Sequence, residues 1–236
     1  MEEIRINKYL TEYGFCSRRA ADRYINEGRV LIDGIPAELG QKVSDGMVVT
    51  VDGKEVRATR SRVFLMVNKP PGIVCTAEKK EKNNIVDFIN YKTRVYPVGR
   101  LDKDSRGLIL MTNEGEYANE MLRARNYHEK EYLVTVDHTI DKQFISAMKK
   151  GVYLSELELT TRPCKIKKIS DKQFSIILTQ GLNRQIRRMC KELSYNVTDL
   201  KRVRFLTLTL GDLPEGSYRE LSESEINELM SALKRE

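Results

Sequence analysis

The sequence predicts an α+β protein in two parts: a small module of two helices and a few short strands, then a larger, mixed and mainly antiparallel domain. Three observations carry this. Residues 5–28 hold two stretches of helical spacing, each closed by a glycine. Short strand patterns joined by Asp-Gly turns follow them. From residue 63 onward strands and helices are interspersed, but the strands are not regularly followed by long helices, which disfavours a doubly wound sheet.

Taken in order, RINKYLTEY places Ile6, Tyr9, Leu10 and Tyr13 on one helical face, and Gly14 stops it. Ser17 can cap a second helix with Ala20, Ala21, Tyr24 and Ile25 inward, ended by Gly28. RVLID and MVVTV read as strands leading into the turns Asp33-Gly34 and Asp52-Gly53. Residue 58 to residue 62 is almost without apolar side chains and is read as a linker, giving domains at 1–57 and 63–236. VFLMV (63–67) is a buried strand pattern, and NKPPG then forces a turn. Residues 113–123 read as a helix capped by Asn113, with Tyr117, Ala118, Met121 and Leu122 inward. EYLVTVD (131–137) reads as a strand and FISAMKKG (144–151) as a helix. LNRQIRRMCKEL (182–193) is a helix with Ile186, Met189, Cys190 and Leu193 inward, and LTLTL (206–210) alternates as a half-buried strand. Ser222 and Glu225 make a capping box for a last helix with Ile226, Leu229, Met230 and Leu233 inside.

Composition narrows the function. The chain of 236 residues has 40% hydrophobic residues and a formal charge of +7, which points toward a polyanionic partner. The excess is local: residues 1–57 hold nine Lys/Arg against ten Asp/Glu, whereas residues 180–204 hold seven against two. The four cysteines form no CxxC pair and there are only two histidines, so neither a zinc site nor a disulfide scaffold is expected. No apolar run approaches the ~20 residues that span a bilayer, so a cytoplasmic protein without membrane contact is expected. The glycines include no GxG and no P-loop, which argues against a methyltransferase with a glycine-rich cofactor loop and against nucleotide hydrolysis.

Three stretches invite a chemical reading. VGRLDKDSRG (98–107) places Asp102 close behind Arg100 and ahead of Arg106, and Asp102 can be a surface ion pair, a helix cap or a reacting group. The predicted helix 182–193 carries Arg184, Arg187, Arg188 and Lys191 opposite its apolar stripe. Such cations repel one another by ~0.2–0.5 kcal/mol per i,i+3 or i,i+4 pair, which an anion at that face would relieve. Arg18, Arg19, Arg23 and Arg29 are either a solvated face of the first helix pair or a grip on phosphates.

RINKYLTEYGFCSRRAADRYINEGRVLIDG resembles an S4 RNA-binding domain, a small αL fold whose helix pair sits on structured RNA. On that resemblance Arg18, Arg19, Arg23 and Arg29 are its RNA-binding residues. NKPPG (68–72), GRLDKDSRGLILMT (99–112), KEYLV (130–134) and GLNRQIRRM (181–189) occur in the order and at the spacing of the Rsu-type pseudouridine synthases. Within them, HEKEYLVTVD and GLNRQIRRMC look most like the large-subunit ribosomal RNA branch called RluF.

The resemblance implies an isomerase that breaks the uridine N-glycosidic bond, turns the base and rejoins it through carbon. No cofactor is implied. Asp102 becomes the catalytic carboxylate, Arg187 its cationic partner and Tyr132 the aromatic on the uracil. Leu182 becomes an apolar wall, with Arg100, Lys69, Arg184 and Arg188 on the substrate side. Uridine in folded RNA must leave its stack for this chemistry, and Arg100 would fill the gap. The expected partner is ribosomal RNA, large-subunit in the first place, with small-subunit or transfer RNA as alternatives; the expected state is a monomer. A non-catalytic ribosome-assembly protein of the same fold is the competing reading, and it would lack one of Asp102, Tyr132 and Arg187. A glycosidase built on Asp102 and Asp104 is disfavoured by their arginine-rich setting.

Overall fold

The computed structural model describes residues 3–56, 62–123 and 127–234. Most of the segment read as a linker, residues 58–61, lies outside the described residues. The chain divides into two units, one of Met1–Arg62 with Asn113–Gly115, the other of Val63–Thr112 with Glu116–Glu236.

In the first unit β1 (Ile4–Arg5) leads into α1 (Ile6–Glu12), and α2 (Arg18–Asn26) follows. The Ser17 side chain accepts from the Ala20 amide, as a Ser N-cap should. The strands are β2 (Val30–Ile32), β3 (Ile35–Pro36), β4 (Lys42–Val43), β5 (Val49–Val51) and β6 (Lys54–Glu55). The hairpins β2–β3 and β5–β6 turn at Asp33-Gly34 and Asp52-Gly53, where all four residues have positive φ. That is the backbone a type I′ hairpin demands and the reason for the Asp-Gly pairs. Ile6, Leu10, Ala21 and Ile25 close the helices over Val30, Ile32, Val49 and Val51.

The second unit is built on one nine-stranded sheet. Its elements begin with β7 (Phe64–Lys69), α3 (Ile85–Ile89), β8 (Tyr96–Pro97), β9 (Arg106–Thr112) and α4 (Gly115–Leu122). They continue with β10 (Lys130–Val136), α5 (Lys142–Lys150), the small hairpin β11 (Tyr153–Leu154) and β12 (Leu159–Thr160), then β13 (Lys165–Lys168) and β14 (Gln173–Leu178). Last come α6 (Gln185–Glu192), β15 (Val197–Phe205), β16 (Leu208–Thr209), β17 (Tyr218–Glu220) and α7 (Glu223–Leu233). The strand order is β13-β14-β10-β15-β9-β7-β17, with β16 on β15 and β8 on β9. Among these pairs only β15–β9 is parallel. The fold is α+β with a mainly antiparallel sheet.

β7 and β9 are covered on both faces, which explains their unbroken apolar runs. Phe64, Met66, Leu108 and Leu110 pack toward α4 and α7. Leu65, Val67, Ile109 and Met111 pack toward α3. The capping box of Ser222 and Glu225 is present at α7.

Four expectations are corrected. LTLTL does not run as one strand: Leu206, at φ 54°, and Thr207 turn the chain from β15 into β16, so the alternation spans a hairpin. α6 starts at Gln185, because Arg184 takes a left-handed conformation with φ 51° and ends the preceding turn. α4 starts at Gly115, two residues past Asn113, and its Leu122 is 47% exposed instead of facing inward. β7 runs to Lys69, so the turn falls at Pro71-Gly72.

Gly107 is where β9 and β15 meet. A Cβ there would stand 2.3 Å from the Arg202 carbonyl oxygen and 2.7 Å from its nitrogen, and φ is +102°. Backbone cannot yield as a side-chain tip can. Gly107→Ala is expected to cost about 2–4 kcal/mol through strain and overpacking, read as a lower urea midpoint at unchanged m-value.

Candidate active site

The site forms where the loop between β8 and β9, the turn before α6, and strands β10 and β15 converge. A cleft of about 590 Å³ opens there. Among the described residues Asp102 is the only carboxylate that lines it, against Arg100, Lys103, Arg123, Lys130, Arg184 and Arg202. Leu182, Leu178 and Ile186 form an apolar part of the wall, and Tyr132 also lines it.

The loop that carries Asp102 is braced from several sides. The Ser105 amide donates to the Asp102 carbonyl at 3.0 Å, and the Gly72 amide to the Lys103 carbonyl at 2.8 Å. The Leu101 amide donates to Cys75 Sγ at 3.4 Å. Lys69 was expected at the cleft edge, but it is fully buried, with Nζ donating to the Pro70 carbonyl at 2.8 Å and the Lys103 carbonyl at 3.2 Å. Burial pushes its pKa down. Lys69 and the Pro71-Gly72 turn thus shape the site by holding the loop, not by lining the cleft. Cys75 is buried and its thiol is pushed up by that burial.

Arg187 approaches Asp102 from behind the cleft. Its Nε lies 3.9 Å from Asp102 Oδ2, and its side chain is 16% exposed. Nη1 donates to the Val197 carbonyl at 3.2 Å, and Nη2 to the Asp104 carbonyl and Ser105 Oγ, each at 3.4 Å. Nε is buried with no hydrogen-bond partner among the described residues. The guanidinium is therefore anchored by its ends, with one donor left toward the carboxylate. Arg184 lies 4.0 Å from both Asp102 and Asp104. Its left-handed turn takes it off the helix and into the cleft wall.

Tyr132 extends from β10, packed against apolar side chains on both sides. Arg100 is exposed at the cleft. Arg188 is not part of the lining: it pairs with Glu156 and donates to the Asn183 carbonyl at 3.0 Å. In the first unit Arg18, Arg19 and Arg23 are exposed on α2. Arg29 is committed within the unit, forked onto Asp52 at 2.9 and 2.6 Å and stacked over Tyr24. It therefore supports that unit's own packing.

The cleft also contains residues that the sequence patterns did not single out. Lys130, Arg202 and His128 line it, and Arg202 is 3% exposed. Lys130 was visible inside KEYLV, two positions before Tyr132 and so on the same strand face. Burial first, then the Arg202 charge, bring its pKa down to about 8.

A buried-backed carboxylate held between two arginines, beside an aromatic and in a cationic cleft, suits chemistry on a polyanion. Residues 63–192 match the family model described as RNA pseudouridylate synthase, and residues 4–49 match the S4 domain. The chain belongs to the RNA pseudouridylate synthase family. It is 49% identical over 98% of its length to the dual-specificity RNA pseudouridine synthase RluF of Escherichia coli K12, 79% of which is covered. It is 35% identical to the ribosomal large subunit pseudouridine synthase B of Bacillus subtilis, with 95% of each chain covered. A crystal structure of a pseudouridylate synthase is similar at TM-score 0.70 and 27% identity, over 96% of this chain and 99% of that one. Among the described residues no helix is long and apolar enough to cross a membrane.

Proposed function

We propose that this chain converts a specific uridine of large-subunit ribosomal RNA to pseudouridine, with Asp102 as the reacting carboxylate. The observation that carries this is the cleft carboxylate of Asp102, backed by Arg187 and Arg184 and set among cations suited to RNA phosphates. The names of the 49% and 35% identical relatives support RNA as substrate, and the second supports the large ribosomal subunit. The first relative is named for dual specificity, which favours testing a second RNA, with transfer RNA the candidate.

The reaction is a balanced isomerisation. The N1–C1′ bond breaks, the uracil turns within the cleft, C5–C1′ forms, the C5 proton leaves and N1 is protonated. Asp102 acts on the nucleotide while charged, and Arg187 holds it in place. Tyr132 lies against the uracil, and Leu182 keeps water from the detached base. Arg100, exposed at the cleft, occupies the gap left by the extruded base. The first unit adds an RNA grip through Arg18, Arg19 and Arg23.

Two experiments bear on this. Mapping pseudouridine in ribosomal and transfer RNA from cells with and without the gene is expected to show loss of one or a few large-subunit positions; unchanged maps would refute the reading. Tyr132 separates stacking from its hydroxyl. Base–aromatic stacking contributes ~1–3 kcal/mol, so Tyr132→Ala is expected to weaken RNA binding about fivefold or more, while Tyr132→Phe binds as the parent does. Equal and full activity in both variants would take Tyr132 out of the site.

A further inference from the structure

Lys130 and Arg202 are two cations in one cleft with no carboxylate of their own. Their placement follows from a register shift. β10 and β15 pair Lys130 with Phe205 and Glu131 with Arg204, but Tyr132 with Arg202. One residue of β15, Val203, is left over. Such a bulge re-aims side chains beside it, and here it puts Arg202 opposite Tyr132, facing the cleft. Leu200 and Arg202 line the cleft two residues apart, and Phe205 lines it three further on, as a bulge between them requires.

The carboxylates nearest in sequence are committed elsewhere. Glu129 pairs with Lys165 at 2.9 Å and Arg204 at 3.0 Å, Glu131 with Arg204 at 3.1 Å, and Asp199 with Arg106 at 2.8 Å. Neither Lys130 nor Arg202 takes part in an ion pair among the described residues. Lys130 Nζ donates to the His128 carbonyl at 3.1 Å, and Arg202 Nε to the Leu108 carbonyl at 2.6 Å. Those bonds aim the two side chains without neutralising them. Both cations also approach the Phe205 ring, at 5.7 and 5.6 Å from its centroid.

A buried, uncompensated charge is costly, and two of like sign more so. The arrangement makes sense if a ligand brings a full negative charge into the cleft. The uracil's carbonyl oxygens are neutral acceptors, whereas a phosphodiester carries one unit of charge and several acceptor oxygens for a lysine and a guanidinium. We propose that Lys130 and Arg202 form a phosphate seat that takes the phosphodiester of the extruded nucleotide. This rests on the pseudouridine synthase reading and adds to it: Asp102 meets the nucleoside, and the seat fixes the nucleotide's backbone so that the nucleoside arrives in register.

The test uses single-turnover reactions on an unmodified transcript of large-subunit ribosomal RNA at several salt concentrations. Lys130→Met is expected to raise the half-saturating enzyme concentration about tenfold, the effect of one charge-assisted hydrogen bond. It should also lower the magnitude of the log–log salt slope by ~0.7, as for one lost contact on a single strand. Lys130→Arg should restore most of the affinity and the slope. An unchanged slope and half-saturation in Lys130→Met, with or without a fall in saturated rate, overturns the seat. A second measurement needs no variant. Uridine 5′-monophosphate is expected to inhibit the parent enzyme at least tenfold more strongly than uridine; equal inhibition overturns the proposal. If the parent forms no pseudouridine on any RNA, the functional reading fails; product formation with an unchanged slope fails the seat alone.

Discussion

Asp102→Asn is expected to fold, bind RNA as the parent does and make essentially no pseudouridine, a loss of at least about a thousandfold. The substitution keeps the shape of the side chain and removes its charge. The loop around it is held by bonds that do not involve the carboxylate: Ser105 to the Asp102 carbonyl, Gly72 and Lys69 to the Lys103 carbonyl, and Leu101 to Cys75. Stability should therefore change little. It should even rise slightly if the carboxylate's desolvation outweighs its contacts with Arg184 and Arg187, which at 4.0 and 3.9 Å are not hydrogen bonds. Turnover within tenfold of the parent would remove Asp102 from the chemistry.

Arg187→Ala is expected to damage both activity and fold. Three backbone and side-chain acceptors, the Val197 and Asp104 carbonyls and Ser105 Oγ, lose a charged donor at once. Each of those bonds is long, so the combined cost is about 2–3 kcal/mol, less than for a tight buried pair. The rate should fall at least a hundredfold, because the segment Asp102–Ser105 loses the anchor that aims the carboxylate. Arg187→Lys separates the charge from the fork: a lysine can stand near Asp102 but cannot reach the Val197 carbonyl and the 104–105 segment together. It should recover part of the rate and little of the stability. A parent-like rate in Arg187→Ala would contradict the pairing.

Much of this fold is legible because local signals agree with long-range packing. Ser17, the two Asp-Gly turns and the Ser222–Glu225 box each need only neighbours a few residues away. The runs FLMV and LILM read as buried strands because both faces of β7 and β9 are covered. β15 was not legible. VTDLKRVRF carries four charged side chains, and their acceptability becomes clear only in three dimensions. Asp199 meets Arg106, Arg204 meets Glu129 and Glu131, and Arg202 turns into the cleft. The alternation that followed it was legible but misleading, since Leu206 sits in the turn and not in a strand.

The candidate site divides in the same way. Asp102, Tyr132 and Leu182 lie in motifs whose resemblance to a family marked them, and the cleft brings them together although they are far apart in sequence. Arg187 stands behind them, reaching the cleft only through Asp102. Lys69 and Arg188 lie in the same motifs, yet a full burial and an ion pair with Glu156 keep them from the lining. Arg202 lies in no motif, because its position depends on a bulge that only the pairing of β10 with β15 reveals.

The reaction moves the ribose C1′ bond from N1 to C5 of uracil without releasing the base. Tritium release from RNA labelled at C5 of uridine reads that step directly, since the C5 hydrogen leaves only as the new bond forms. With unmodified large-subunit ribosomal RNA, the parent protein is expected to release tritium to a plateau of one or a few equivalents per RNA, matched by pseudouridine in the digested product, with no free uracil and no release by Asp102→Asn. Free uracil appearing in place of pseudouridine, or tritium release undiminished in Asp102→Asn, would rule out this isomerisation at Asp102.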